Sequence, residues 1–216
     1  LAEIGVELVL CTSDKWMLSE RANGFPMEFL YRKCGGNGSR LVKGIYYIVS
    51  SIRILRYILT KRFDIIHFQI IELPVVDLLL MIAIKLIGKR IVYTPHNIIY
   101  NKNFPFKDRF TAAMYDISDR IIVHNKANFE SIVRKFGVDP NKVKTIPHGS
   151  YEYFVDGSIN KNDARRRLGF ILGNRMLLFF GNISDNKGLD VMLKSMPLIK
   201  IEIPDIKLII AGRLSR

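Results

Sequence analysis

The 216-residue chain is 49% hydrophobic and 25% charged, the balance of a folded globular protein, which excludes a disordered or fibrous chain. Lys and Arg outnumber Asp and Glu by 33 to 20, a formal charge of +13. That excess invites an anionic partner (phosphate, nucleic acid or acidic lipid) without choosing among them.

Leu1 leads through Ala2, Glu3 and Ile4 straight into a β-rich run, with no signal-peptide pattern, and reads as a cropped start. Short apolar runs predict buried strands at Val6 to Cys11, Asp64 to Phe68, Arg90 to Thr94, Arg120 to Val123 and Val143 to Ile146. Helical spacing fills the intervals Ser39 to Thr60, Pro74 to Ile87, Phe106 to Ile117 and Ala127 to Phe136, with stops at Gly88 and Gly137. Strand alternating with helix predicts a doubly wound α/β domain with a parallel sheet. The apolar stretches Ile45 to Leu59 and Val75 to Ile87 carry Arg53, Arg56, Asp77 and Lys85, so neither makes a good transmembrane helix. Cys11 and Cys34 have no metal-ligand spacing and are too few for a disulfide framework, so both read as inert thiols of a reducing cytoplasm. The glycines at 35, 36 and 38 satisfy no phosphate-loop spacing and read as a flexible loop.

After Pro147, His148 and Gly149 the pattern loosens into a polar, aromatic connection ending near Asn162. A second α/β unit follows: a short basic helix from Asp163 to Leu168, a strand from Met176 to Phe180, a helix from Leu189 to Ile201 and a strand from Lys207 to Ala211. Two strands cannot bury both faces of a parallel sheet, so this second domain is expected to be truncated. The expected division is 1–157 and 158–216.

The strongest chemical signal is the strand Met176 to Phe180 running into Gly181, Asn182, Ile183, Ser184, Asp185, Asn186, Lys187 and Gly188 before a helix. Glycine at the strand end admits a ligand to the backbone, and the helix start offers free N–H groups and a positive dipole end, a place for phosphate. Lys187 can add a charge-assisted hydrogen bond worth about 1.5–3 kcal/mol. On spacing alone, a solvated loop lysine is the better reading of Lys187. His96, after the strand Arg90 to Thr94, falls at the carboxyl edge where doubly wound sheets place ligands.

The run FFGNISDNKGLDVMLKSMP followed by DIKLIIAGR resembles the opening of the donor-binding domain of family 4 glycosyltransferases, which have the two-Rossmann GT-B architecture. FDIIHFQ, IVYTPHNI, DRIIVHNKANFESIVRKFGV and KVKTIPHGSYEYF fall in that family's order, so the resemblance extends from Phe63 onward. It implies a near-complete N-terminal, acceptor-side Rossmann-like domain plus the start of the donor-side one. It further implies that Gly181 and Lys187, with Asn182 and Gly188 beside them, bind the diphosphate of a sugar nucleotide, and that Lys187 stabilises the leaving group. His96 would contact the transferred sugar. Asn97 either orients the acceptor or shapes the loop, and His67 either reaches the same place or is structural. His148 more readily shapes a turn near Gly149, and His124 has no assigned role. Many members carry an arginine directly after the glycine, or two residues later; this chain has Asn182 and Ser184 there, one phosphate-binding cation fewer.

The implied reaction is transfer of a hexose-type sugar from a nucleotide sugar to a glycan or lipid-linked acceptor in surface polysaccharide synthesis. Retention of configuration, electrostatic catalysis and no obligatory metal or other cofactor are implied with it. The family's donor-side glutamate pair would lie beyond Arg216 and its first glycine-rich loop before Leu1, so the chain alone is expected to be inactive. From Arg40 to Arg62 the cations Arg40, Lys43, Arg53, Arg56, Lys61 and Arg62 sit among Ile, Leu, Val and Tyr. The pattern fits either an ordinary Rossmann helix or a basic helix on the anionic cytoplasmic face of a membrane, with Phe104, Phe106, Lys107, Arg109 and Phe110 as further contacts. The competing readings are nucleic-acid binding through Tyr46, Tyr47 and Tyr57, a phosphorylase or epimerase, and a non-catalytic scaffold.

Overall fold

The computed structural model describes residues 5–13, 26–31, 39–69, 71–96, 98, 106–149, 157–184 and 187–214. The chain divides into two compact units, Leu1–Gly149 and Ser150–Arg216, a division that falls ahead of the 157/158 boundary. The Cys34 to Gly38 loop, Phe104 and Asn97 lie outside the described residues.

In the first unit, β3 (Ile65–Phe68), β4 (Arg90–Tyr93), β5 (Arg120–Val123) and β6 (Val143–Thr145) form one parallel sheet in chain order. The register runs from Ile65↔Arg90 to Phe68↔Tyr93, and from Ile121↔Val143 to Val123↔Thr145. The connecting helices are α2 (Pro74–Leu86), α3 (Lys107–Ile117) and α4 (Lys126–Phe136), so each crossover is a helix, as parallel pairing demands. Ahead of them, β1 (Leu10–Ser13) and β2 (Met27–Tyr31) pair parallel as a separate two-stranded sheet, followed by α1 (Arg40–Thr60). The first strand thus begins later than the expected Val6. β2 was not anticipated: its five residues MEFLY lack the aliphatic β-branched run of β3 to β5, and their side chains are only partly buried.

Alternate residues of β4 and β5 supply the core. Ile91, Ile121 and Val123 are fully buried and pack with Met81, Ile84, Met114, Tyr115 and Ile132 from the helices. Tyr115 stacks on Tyr93 at 5.8 Å and meets the edge of Phe136 at 5.2 Å. At the opposite end of the sheet from the histidines, Asp119 receives the Lys85 ammonium at 2.8 and 2.9 Å and the Ile91 N–H at 2.7 Å, tying α2 to the start of β4. Burial opposes the Asp119 carboxylate, but these donors hold it below the usual carboxylate range.

Helix α2 starts at Pro74 with Leu73 at the N-cap position and no side chain capping it. Asp77, fully buried, reaches back to accept the Glu72 and Leu73 N–H groups at 3.0 and 2.9 Å, supplying the missing cap from inside the helix. The same carboxylate accepts the Tyr47 hydroxyl of α1 at 2.6 Å, so one charge fastens two helices. Tyr47 is itself buried and stacked on Tyr31 at 5.3 Å, and Tyr57 donates to Glu28. Two of the three tyrosines that a nucleic-acid reading requires for stacking are therefore tied into the fold. Residues 107–110 form the first turn of α3, within the expected helix, with Phe110 against the core. Cys11 is a free cysteine whose thiol is pushed up to about 11, by desolvation and then by the Glu28 carboxylate.

In the second unit, α5 (Lys161–Arg167) precedes β7 (Met176–Phe180), α6 (Leu189–Glu202) and β8 (Lys207–Ala211). β7 and β8 pair parallel from Met176↔Lys207 to Phe180↔Ala211. The two-stranded sheet leaves Leu178 and Phe180 at 61% and 83% exposure.

Burial pushes the Asp77 carboxyl from its ordinary 3.8 up to about 6, against the downward pull of Tyr47 and the two N–H donors. Because the folded state holds this proton more tightly than the unfolded chain, the stability it confers is full below pH 3.8 and is lost as pH rises through about 6. In urea titrations, Asp77→Asn is expected to flatten the fall in stability across that interval. Asp77→Ala, which leaves Tyr47 and two backbone donors unpaired, is expected to cost about 2–4 kcal/mol.

Candidate functional site

Four parallel strands in chain order present four carboxyl ends to one edge, and each carries or precedes a histidine: His67 on β3, His96 after β4, His124 after β5 and His148 after β6. These are all the histidines of the chain. No contact between neighbouring residues in sequence arranges them; the sheet does.

His67 sits on the last turn of β3, and its Nε2 lies 2.7 Å from the Thr94 hydroxyl at the end of β4. Thr94 is buried and its N–H donates to the Phe68 carbonyl at 2.9 Å, so the hydroxyl is a fixed partner for the ring. Burial and then the neighbouring His96 lower the pKa of His67, favouring the neutral imidazole. His67 thus has a structural partner at the same edge as the other three.

His96 follows the fully buried Pro95 and is exposed. Its loop is anchored on both sides: Thr94 continues the β3 pairing, and the Tyr115 hydroxyl donates to the Ile98 carbonyl at 2.8 Å. Its pKa is lowered by burial, then by His124 and His148. The rings of His96 and His124 lie 5.6 Å apart, those of His96 and His148 6.1 Å, and those of His124 and His148 stack at 3.7 Å. One ring nitrogen from each of the three falls within 4.8 Å of the others.

His124 is set by two local devices. Ile146 N–H donates to the Val123 carbonyl at 2.8 Å, extending the β5–β6 pairing, and the Ile146 carbonyl lies 3.0 Å from His124 Nδ1. Just beyond, Asn125 caps α4 by accepting the Asn128 N–H at 2.8 Å. A carbonyl can only accept, so Nδ1 carries a proton. The Nε2 is buried and has no hydrogen-bond partner among the described residues. His124, without a role on sequence grounds, is therefore firmly oriented, and His148 lies against it. The available signal was one histidine at each strand end, repeated once per strand–helix unit.

The second unit holds the other candidate residues. β7 ends in Gly181 at φ 137°, a conformation that L side chains rarely adopt. A Cβ on Gly212, at the end of β8, would run into the Gly181 carbonyl, so both glycines are needed for the strands to leave the sheet as closely as they do. Their pairing continues through Gly181 N–H to the Ala211 carbonyl at 3.0 Å and Ile183 N–H to the Arg213 carbonyl at 2.9 Å. Gly212 was not singled out as a site residue, although it lies in the quoted run. Asn182 and Lys187 are both exposed, with the Lys187 N–H donating to the Ser184 carbonyl at 2.9 Å. Gly188 takes the left-handed conformation at φ 70° and starts α6 without a side-chain cap, which leaves the first N–H groups of a 14-residue helix directed past Lys187.

Comparison with known proteins agrees with this geometry. The model of Glycosyltransferase Family 4 matches residues 1–150, and that of Glycosyl transferases group 1 matches residues 160–216. A D-inositol 3-phosphate glycosyltransferase from Thermobispora bispora is 30% identical over 92 residues, 43% of this chain and 21% of that protein. Among solved structures, HepE from Anabaena, in complex with UDP-glucose, is similar with a TM-score of 0.67 at 15% identity, over 94% of this chain and 52% of that one. The UDP-GlcNAc 2-epimerase of Methanocaldococcus jannaschii follows the same fold with a TM-score of 0.57 at 13% identity, over 94% of this chain and 56% of that one. The chain thus spans about half the length of these structures. Parallel α/β units in both parts of the chain accord with the family match: the chain belongs to glycosyltransferase family 4, with the GT-B fold.

Proposed function

We propose that the protein transfers a hexose-type sugar from a nucleotide sugar to a hydroxyl of a glycan or lipid-linked acceptor, with retention of configuration. The observation that carries this reading is the turn from Gly181 to Gly188, where a strand end open to the backbone meets an uncapped helix start beside Lys187. The diphosphate of the donor lies against Gly181, Asn182 and Gly188, and Lys187 with the α6 N–H groups takes up the charge that grows on it as the glycosidic bond breaks. The acceptor oxygen bonds to the anomeric carbon on the face the diphosphate leaves, and its proton passes to a diphosphate oxygen. His96, in the neutral form that its surroundings favour, contacts a hydroxyl of the transferred sugar, with Asn97 and His67 at the acceptor side. Cationic and N–H groups serve the leaving group without an obligatory metal. The UDP-glucose bound by HepE supports a uridine nucleotide sugar as donor, and the D-inositol 3-phosphate glycosyltransferases support a polar hydroxylated acceptor.

A cytoplasmic, membrane-peripheral setting for surface polysaccharide synthesis is supported by α1. Its buried side is Tyr47, Ser50, Ser51, Ile54 and Ile58, while Leu41, Ile45, Ile48, Ile52 and Leu59 form a second stripe between 45% and 75% exposed. Arg53 and Arg56 are exposed beside that stripe, and Phe106 stands 67% exposed with the Arg109 guanidinium 5.7 Å from its ring centre. Apolar residues interleaved with cations suit the headgroup region of an anionic bilayer. Among the described residues no helix is long and apolar enough to cross a membrane.

In the full-length protein, Lys187→Ala is expected to lower kcat/KM for sugar transfer by about ten- to a hundredfold, the loss of one charge-assisted hydrogen bond. His96→Ala is expected to lower it as well, with the far-UV circular dichroism unchanged. Parental activity in both variants contradicts the transferase assignment of these residues. In vesicle co-sedimentation, Arg53→Glu with Arg56→Glu is expected to weaken association with anionic vesicles by more than about tenfold, at roughly 1 kcal/mol per cation. Equal binding to neutral vesicles, or by the variant, contradicts the membrane reading.

A further inference from the structure

We propose that His96, His124 and His148 form a binding site for one borderline transition-metal dication, zinc above all, built at the carboxyl edge of the first unit's sheet. The ligand set is three imidazoles from three successive strand ends, with one nitrogen of each within 4.8 Å of the others. Around a tetrahedral zinc with Zn–N bonds of about 2.0–2.1 Å, ligand nitrogens stand about 3.3 Å apart. The cluster therefore has to contract by about 1.5 Å at most. His96 and His148 are both exposed, on irregular segments, and side-chain rotation there supplies the movement.

His124 provides the independent observation. Its Nδ1 lies 3.0 Å from the Ile146 carbonyl, and its Nε2 is buried with no hydrogen-bond partner among the described residues. An imidazole held through one nitrogen by a backbone carbonyl, with the other nitrogen unpartnered, has the support that metal-bound histidines ordinarily have. A buried acceptor without a donor is costly; a metal ion converts it to a bond. The crowding of the three rings has the same sense. His124 and His148 are stacked at 3.7 Å and His96 is within 6.1 Å of both, so three imidazoles from three strand ends converge on one place.

An all-nitrogen set selects zinc, cobalt, nickel or copper over magnesium, calcium or manganese, which take oxygen. The site is thus chemically separate from any cation that would accompany a donor diphosphate. Three protein ligands leave a fourth position for water or another oxygen. All three ligands lie in the first unit, so the inference does not rest on Gly181 or Lys187 of the second. With His96 bound to metal, its imidazole is unavailable to a sugar hydroxyl, and the two uses of that residue exclude each other.

The test is titration of the full chain, purified without a histidine tag and stripped with chelator, with cobalt(II) as a spectroscopic substitute for zinc. One equivalent is expected to give the intense visible absorption of a four-coordinate cobalt site, abolished by zinc and unaffected by magnesium. His148→Ala, at an exposed position, and His124→Gln are each expected to weaken cobalt binding by about tenfold or more, with the far-UV circular dichroism retained. His67→Ala is expected to bind as the parent does, since His67 is outside the cluster. Absence of the four-coordinate spectrum in the folded parent overturns the proposal, as does unchanged affinity in His148→Ala and His124→Gln.

Discussion

Parallel pairing of β3, β4, β5 and β6 in chain order sends the last residue of every strand to the same edge, with a helix returning the chain each time. The placement of the first unit's functional residues depends on that constraint. Once Ile91, Ile121 and Val123 are buried against the helices, strand register leaves no freedom in where the chain emerges, and three histidines far apart in sequence meet. A slip of one position would turn these core side chains outward and scatter the histidines. The anchors that hold the register, Asp119 with Lys85 and Ile91 N–H at one end and Thr94 with the Phe68 carbonyl at the other, are thus part of the site's construction.

The second unit reaches its candidate site by a different route. There the backbone supplies the geometry: Gly181 at positive φ, Gly212 against its carbonyl and Gly188 opening α6 clear the space and expose the N–H groups that an anion needs. Lys187 is the charge added to a site made mostly of main chain.

The fold was legible where each strand is a short aliphatic run closed by a turn. β5, β7 and β8 occur at their expected limits, because each is a short, near-continuous run of Val, Ile, Leu or Phe. β2 was not legible, since MEFLY gains its strand conformation from pairing with β1 and has no aliphatic pattern of its own. Nor was the function of Asp77, whose carboxylate caps a helix from within while holding Tyr47 across a gap in sequence. His96 and Lys187 were found through resemblance to a family, and the structure locates both at strand ends or helix starts. His124 was passed over because what distinguishes it, a committed Nδ1 and a buried, unpartnered Nε2, depends on a carbonyl from the next strand. Sequence spacing carries no trace of such a partner.

The sheet edge gathers three histidine rings, one of them held through Nδ1 by the carbonyl of the next strand, and NMR of the histidine rings reads this directly. His124 is expected to carry a proton on Nδ1, with through-space contacts from its ring to those of His96 and His148. A His124 ring without a proton on Nδ1, or the absence of contacts among the three rings, would contradict this arrangement.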